Sequence, residues 1–105
     1  MSFFSSTTVG FSATPTFAAL TQVQLFKMLL TGNVTSSTLT LVGISAPAFV
    51  IFELTQDATG GRTFAWPANV LAGPVPNPGA NETTSVMFYF DGTNCIAVTP
   101  GMVNP

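Results

Sequence analysis

Glycine and proline punctuate this chain so densely that long helices have no room. With nine of one and eight of the other in 105 residues, only residues 16–31 run more than a dozen positions without either. Proline removes a backbone donor and clashes inside a helix, and glycine there costs about 1 kcal/mol relative to alanine. The runs between these residues are rich in Thr, Val, Ile, Leu and Phe, which suit a pleated, half-buried surface. Short strands joined by turns are the expected result.

Residues 22–30 alternate, with Val23, Leu25, Lys27 and Leu29 on one side and Gln24, Phe26, Met28 and Leu30 on the other. This predicts a strand, with a short helix starting near Thr21 as the competing reading. Thr31-Gly32-Asn33 is a turn, and the Thr, Leu and Val of residues 35–42 predict a second strand. Residues 48–54 are apolar on both faces, with Glu53 near the end, as for a core strand packed on two sides. Asp57-Ala58-Thr59-Gly60-Gly61 has the composition of a hairpin loop leading to a strand at residues 62–66, which Pro67 ends. Residues 71–81, with Pro74, Pro76 and Pro78, form a rigid loop. Residues 84–90 predict another strand, Asp91-Gly92-Thr93-Asn94 a hairpin turn, and residues 95–99 the last strand. No repeat of fixed period is visible. The expected fold is all-β, a small antiparallel β-sandwich or barrel forming one domain over residues 21–105.

Residues 1–20 differ from the rest in lacking any helical or alternating period. Their Ser, Thr and Ala carry isolated phenylalanines at Phe3, Phe4, Phe11 and Phe17. An extended N-terminal arm, pinned to a partner by those four side chains, is the expectation, and a disordered tail is the alternative.

Charge is scarce. Lys27, Arg62, Glu53, Asp57, Glu82 and Asp91 are the only ionisable acids and bases of full charge, whereas 47% of the residues are hydrophobic and ten are Phe. Globular domains ordinarily carry about 25% charged residues, so part of this surface is expected to be covered by protein partners. Two cations cannot neutralise the row of phosphates that nucleic acid presents, which excludes nucleic acid as a ligand. The most apolar run, residues 46–52, contains Pro47 and is far shorter than the ~20 residues of a membrane-spanning helix, so no membrane partner is expected. The N-terminus lacks the basic start and apolar stretch of a secretory signal, which predicts synthesis and assembly in a cytoplasm.

The same scarcity argues against catalysis. Without histidine there is no Ser/His or Cys/His pair, and the commonest metal ligand is missing. Cys95 has no neighbouring cation to activate it and reads as an inert core thiol. Glu53 and Asp57 read as solvated carboxylates beside Arg62, and Asp57, Glu82, Asp91 and Asn94 do not form a calcium-loop pattern. Asn33-Val34-Thr35 and Asn81-Glu82-Thr83 match the glycosylation sequon by chance. We expect no enzyme, no cofactor and no metal. Trp66 and Tyr89 are the candidates for stacking on a sugar, with Asn69, Asn77 and Asn81 as polar neighbours.

The segment Thr55-Gln56-Asp57-Ala58-Thr59-Gly60-Gly61-Arg62-Thr63-Phe64-Ala65-Trp66-Pro67-Ala68-Asn69-Val70, followed later by Asp91-Gly92-Thr93-Asn94, resembles a small β module of bacteriophage tail fibres and related virion surface proteins. The likeness covers roughly residues 48–98, with Cys95 standing where the module often has an aromatic residue. It implies a structural or adhesive protein, commonly a homotrimer, with no catalytic residues. Because Met1 opens the sequence and the chain ends soon after the module, the expected form is a stand-alone version. The leading expectation is therefore a capsid decoration (cement) subunit in the virion, whose arm and apolar strand faces pack on itself and on the major capsid protein. The alternative is a receptor-binding tip of a tail or head fibre that uses Trp66 and Tyr89 on a host surface glycan.

Overall fold

The computed structural model describes residues 4–41, 43–71, 73–98 and 102–103. Among these it contains nine strands and no helix: β1 (Phe4–Thr8), β2 (Thr16–Ala18), β3 (Val23–Leu30), β4 (Thr38–Thr40), β5 (Ala48–Gln56), β6 (Val70–Leu71), β7 (Thr83–Phe90), β8 (Cys95–Ala97) and β9 (Met102–Val103). The main sheet has the order β1-β3-β5-β7-β8-β6, with β9 also on β7, and β2 and β4 form a second, two-stranded wall.

The all-β class is as expected, but the pairing is not that of an antiparallel sandwich or barrel. β1, β3 and β5 run parallel, as do β2 and β4, and a parallel bridge joins Val34 to Phe64. The chain thus winds as a short, irregular β-solenoid, with successive turns laid side by side. The connecting segments, residues 9–22 and 31–47, exceed the dozen residues that a parallel crossover needs, and each carries one strand of the second wall. Two elements close the winding: β7 lies antiparallel to β5, and the hairpin β7–β8 brings β8 parallel to β6.

Two expectations change accordingly. The first is the N-terminal arm, whose described part, residues 4–20, is the first turn of the solenoid rather than an extension from it. β1 lies along β3 from Phe4–Val23 to Thr8–Lys27, and β2 along β4. Phe3 lies outside the described residues. The second is the hairpin expected between residues 54 and 62. The buried Gln56 side chain takes both backbone groups of Arg62, donating from Nε2 to the carbonyl (2.9 Å) and accepting the N–H at Oε1 (3.0 Å). With its backbone satisfied by a side chain, Arg62 needs no place beside β5, and the chain crosses to pair Phe64 with Val34.

The core lies between the main sheet and the second wall. Alternate residues of β3, β5 and β7 face inward, and Phe26, Phe52 and Phe88 among them are fully buried. Phe17 enters from β2, its ring 5.2 Å from Phe26 and 5.0 Å from Phe52, both edge-on. Each fully buried Phe contributes about 1.5–3 kcal/mol of transfer free energy before ordering costs. At the N-terminal end the interior turns polar. Buried Gln24 accepts from Ser5 Oγ and the Leu20 N–H, and donates to Thr7 Oγ1 and the Leu25 carbonyl, fastening the first turn to the second.

Candidate functional site

The Gln-Asp-x-x-Gly-Gly-Arg segment forms one rim of a groove. Asp57 Oδ1 accepts the Thr59 and Gly60 N–H groups (3.1 and 3.0 Å), which shapes the turn, and its carboxylate also meets Arg62 (Nη2–Oδ2 3.0 Å). The Arg62 hydrogen bond, aided by the two N–H donors and the guanidinium charge, outweighs burial and holds the Asp57 carboxyl below the usual carboxylate range. The second rim is the proline-rich loop, docked through Gly61 N–H to the Pro78 carbonyl (2.8 Å) and Asn81 N–H to the Asp57 carbonyl (3.0 Å). Asn77 Oδ1 caps the Gly79 N–H, and the Asn77 N–H reaches Thr84 Oγ1.

Between the rims lies an apolar groove of about 250 Å³, its walls including Arg62, Phe64, Trp66, Pro74, Val75 and Pro76. Trp66 anchors it. The indole Nε1 donates to the Pro74 carbonyl (2.8 Å), and the ring stands edge-on to Phe52, Phe64 and Phe88 at 4.7–5.2 Å. Gly73 passes so close that a Cβ on it would sit 2.4 Å from Trp66 Cγ. Val75 projects from the loop, 88% exposed.

The residues singled out from sequence do not gather into one site. Trp66 contacts the inward-facing Phe88, whereas Tyr89, the next residue along β7, points to the opposite face of the sheet, where it meets Phe49 (6.0 Å). Asn69 is engaged in the fold: its Nδ2 donates to the Leu39 carbonyl (3.2 Å) and its own carbonyl accepts the Cys95 N–H (2.7 Å). Asn77 and Asn81 belong to the groove's second rim. Of the described phenylalanines assigned to a partner interface, Phe17 is completely buried in the chain's own core, which leaves it no surface to offer. Phe11 lies over Gly32, and Phe4 is exposed on β1.

Cys95 is fully buried, and burial, reinforced by the nearby Asp91 carboxylate, pushes its thiol up to about 11. Asp91 itself is held low by the Asn94 and Thr93 N–H groups it accepts in the β7–β8 turn (2.8 and 2.9 Å). Among the described residues no three His, Cys, Asp or Glu side chains come together as a metal site. The groove's second wall went unremarked in the sequence except as a rigid loop. Its signal was the alternation Pro74-Val75-Pro76-Asn77-Pro78, a stiff segment presenting an apolar side chain that no strand claims.

The model of a family described as "Putative phage tail fibre C-terminal domain" matches residues 13–95, well over half of the chain. The chain belongs to that family. The matched span of this tail fibre domain runs from just before β2 to the first residue of β8 and includes the groove, the Gln56–Arg62 turn and the Asp91–Asn94 turn. β1 precedes it. The description names a structural part of a phage particle, the tail fibre. Comparison with curated proteins and with solved structures gives no significant match.

Proposed function

We propose that this chain is a non-enzymatic structural domain of a phage tail fibre, carried on the virion, and that the groove at Trp66 faces the host surface. The observation that carries the fibre assignment is the family match over residues 13–95. The capsid-decoration role expected from the sequence rested on apolar strand faces and on a Phe-bearing arm. With residues 4–8 and 16–18 paired into the sheets and Phe17 in the core, the arm's part of that mechanism has nothing to work with. Gold-labelled antibodies against the chain, applied to intact particles and viewed by electron microscopy, should mark the tail. Label distributed over the head shell would overturn the assignment.

Contact with a host glycan at the groove is favoured by one feature, a half-buried indole flanked by prolines beside the exposed Val75. Aromatic and proline faces stack on the apolar face of a sugar ring. At about 250 Å³ the groove is smaller than the ~300 Å³ at which pockets for drug-sized ligands begin, which suits a single ring. Purified chain should compete with phage for adsorption to host cells, and Val75→Glu should blunt that competition without changing the melting temperature. Wild-type chain that never competes would remove the groove from the proposal and leave the fibre assignment standing. The assembled form is a homotrimer, and sedimentation equilibrium of the purified chain should give three times the mass of one chain; the mass of a single copy at all concentrations would remove this part of the proposal.

A further inference from the structure

We propose that the groove at Trp66 takes a neutral sugar by a methyl group, the terminal methyl of a 6-deoxyhexose or that of an acetylated sugar. It prefers that sugar over the matched one in which the methyl is hydroxylated or missing. The inference rests on the reading that the groove faces a host glycan, and it names the class of glycan. It follows from where the hydrogen-bonding groups of the lining already point. Pro74, Pro76 and Pro78 have no N–H to give. On the opposite rim the Gly61 N–H is held by the Pro78 carbonyl (2.8 Å), the Arg62 N–H by Gln56 Oε1 (3.0 Å) and the Thr63 N–H by Asn33 Oδ1 (3.0 Å). The indole Nε1–H goes to the Pro74 carbonyl (2.8 Å). Carbonyls on that rim are engaged as well: that of Arg62 accepts from Gln56 Nε2 (2.9 Å) and that of Thr63 from the Val34 N–H (2.9 Å). Thr63 supplies a hydroxyl, enough to orient a ring.

Sugar hydroxyls lowered into such a groove lose water and find few partners, whereas a methyl gains by leaving water. The walls also suit a small apolar group. A Cβ on Gly73 would lie 2.4–2.6 Å from Trp66 Cγ, Cδ1 and Cδ2, so the Gly73 backbone already covers one face of the indole, and three phenylalanine rings stand edge-on to it. What remains for a ligand is the rest of the indole, the pyrrolidine rings and the exposed Val75 side chain, a lining of C–H groups. Charge narrows the class to neutral sugars. Arg62 is the cation of the lining, and its Nε (3.4 Å) and Nη2 (3.0 Å) both donate to Asp57. The carboxylate of an acidic sugar would therefore meet a guanidinium already neutralised, beside a second carboxylate that repels it.

Matched sugars titrated into the purified chain, up to a few hundred millimolar, test this. L-Rhamnose differs from L-mannose, and L-fucose from L-galactose, only by a methyl in place of a hydroxymethyl; N-formylglucosamine lacks only the acetyl methyl of N-acetylglucosamine. Trp66 is the single tryptophan, so one indole N–H cross-peak in the nitrogen–proton NMR spectrum reports on the groove, together with the Val75 methyl peaks. An apolar site rejects an added hydroxyl by up to about a hundredfold and an open groove by less, so the methyl-bearing member of a pair should bind about tenfold tighter. Preference within the first two pairs alone assigns the 6-deoxy carbon, and within the third alone the acetyl group. Val75→Thr puts a hydroxyl in the wall at an exposed position and should bring the members of each pair close to equal without changing the melting temperature. Equal binding within every pair, tighter binding of the members without the methyl, or peaks that no sugar moves would overturn the proposal. The adsorption competition separates this result from the reading beneath it. Chain that blocks adsorption yet shows no methyl preference keeps the groove facing the host and sinks the sugar class; chain that shows the preference but never blocks adsorption keeps the sugar class and removes the host surface.

Discussion

Gly60 and Gly61 offer a controlled comparison, because they are adjacent, share φ values of +72° and +73°, and differ in what surrounds them. A Cβ on Gly60 would lie 2.6 Å from the Pro78 carbonyl oxygen, 2.9 Å from Ala80 N and 3.1 Å from Ala80 Cα, whereas on Gly61 it would meet nothing within 4 Å. Positive φ costs an alanine roughly 1–2 kcal/mol, and that strain is the whole expected loss for Gly61→Ala. Gly60→Ala bears the same strain and must also push back the 77–82 loop. The obstructing atoms are backbone, held by the Gly61–Pro78 and Asn81–Asp57 hydrogen bonds, so relief means breaking these at about 1 kcal/mol each. The total for Gly60→Ala is therefore about 3–4 kcal/mol, a large part of the ~5–15 kcal/mol that stabilises a typical domain. At roughly 4–8 °C per kcal/mol for a domain of this size, the two melts should separate clearly. Urea and thermal unfolding followed by far-UV circular dichroism supply the measurement. The gain from a stiffer unfolded chain is common to both variants and cancels in the difference. Equal losses would refute the reasoning, because they would mean that the close approach of the proline loop does not demand glycine at position 60.

Three further outcomes are expected. Phe17→Ala opens a cavity among Phe26, Phe52 and Phe64 and should cost about 3–5 kcal/mol in urea denaturation; a loss under about 1 kcal/mol would place Phe17 outside the core. Gly73→Ala should drive the single tryptophan from its seat, seen as a red shift of the intrinsic fluorescence, and an unshifted spectrum would refute the close packing of Gly73 on Trp66. Asp57 and Asp91 both have native carboxyls held below their unfolded value, so they contribute stability that is present above about pH 4 and lost as pH falls through that value toward their lower native ones. The urea midpoint should therefore drop between about pH 5 and 3, as these values imply, and Asp57→Asn with Asp91→Asn should flatten the drop; an unchanged slope would count against the carboxylate-capped turns.

Much of the fold was legible because strand identity is a local matter. The alternation in residues 22–30, the strand-forming run at residues 84–90, the turn chemistry at Asp91–Asn94 and the apolar run at residues 48–54 reappear as β3, β7, the β7–β8 turn and β5, within a few residues. Partners were another matter. A period-two pattern says which residues share a face but not which strand lies alongside. Parallel pairing leaves no mark in the turn, and here the partners are 19 residues apart for Phe4 and Val23, 22 for Thr16 and Thr38, and 26 for Val23 and Phe49, so no fixed period betrays the winding. The Gly60-Gly61 pair signalled a tight turn truthfully, but the hairpin inferred from it failed because the Gln56 side chain, not a neighbouring strand, receives the Arg62 backbone. The groove suffered the same blindness: Trp66 was flagged, while its walls come from residues 61–64 and 73–78, brought together by backbone hydrogen bonds between loops.

By itself the sequence determined that this protein is built of strands and that its six charges leave a surplus of apolar surface, since both follow from what each residue can do with its immediate neighbours. It also carried the two turn segments, residues 55–70 and 91–94, on which the resemblance to phage tail fibre modules was read. Only the tertiary structure decided that Phe17 belongs inside, that Trp66 and Tyr89 look out on opposite sides of one sheet, and that scattered Phe4, Val23, Phe49, Tyr89, Ile96 and Leu71 align as one row across the main sheet. The reason is physical: burial and alignment are properties of pairs distant in sequence, chosen by which backbone ladders close together, and no single segment contains that choice.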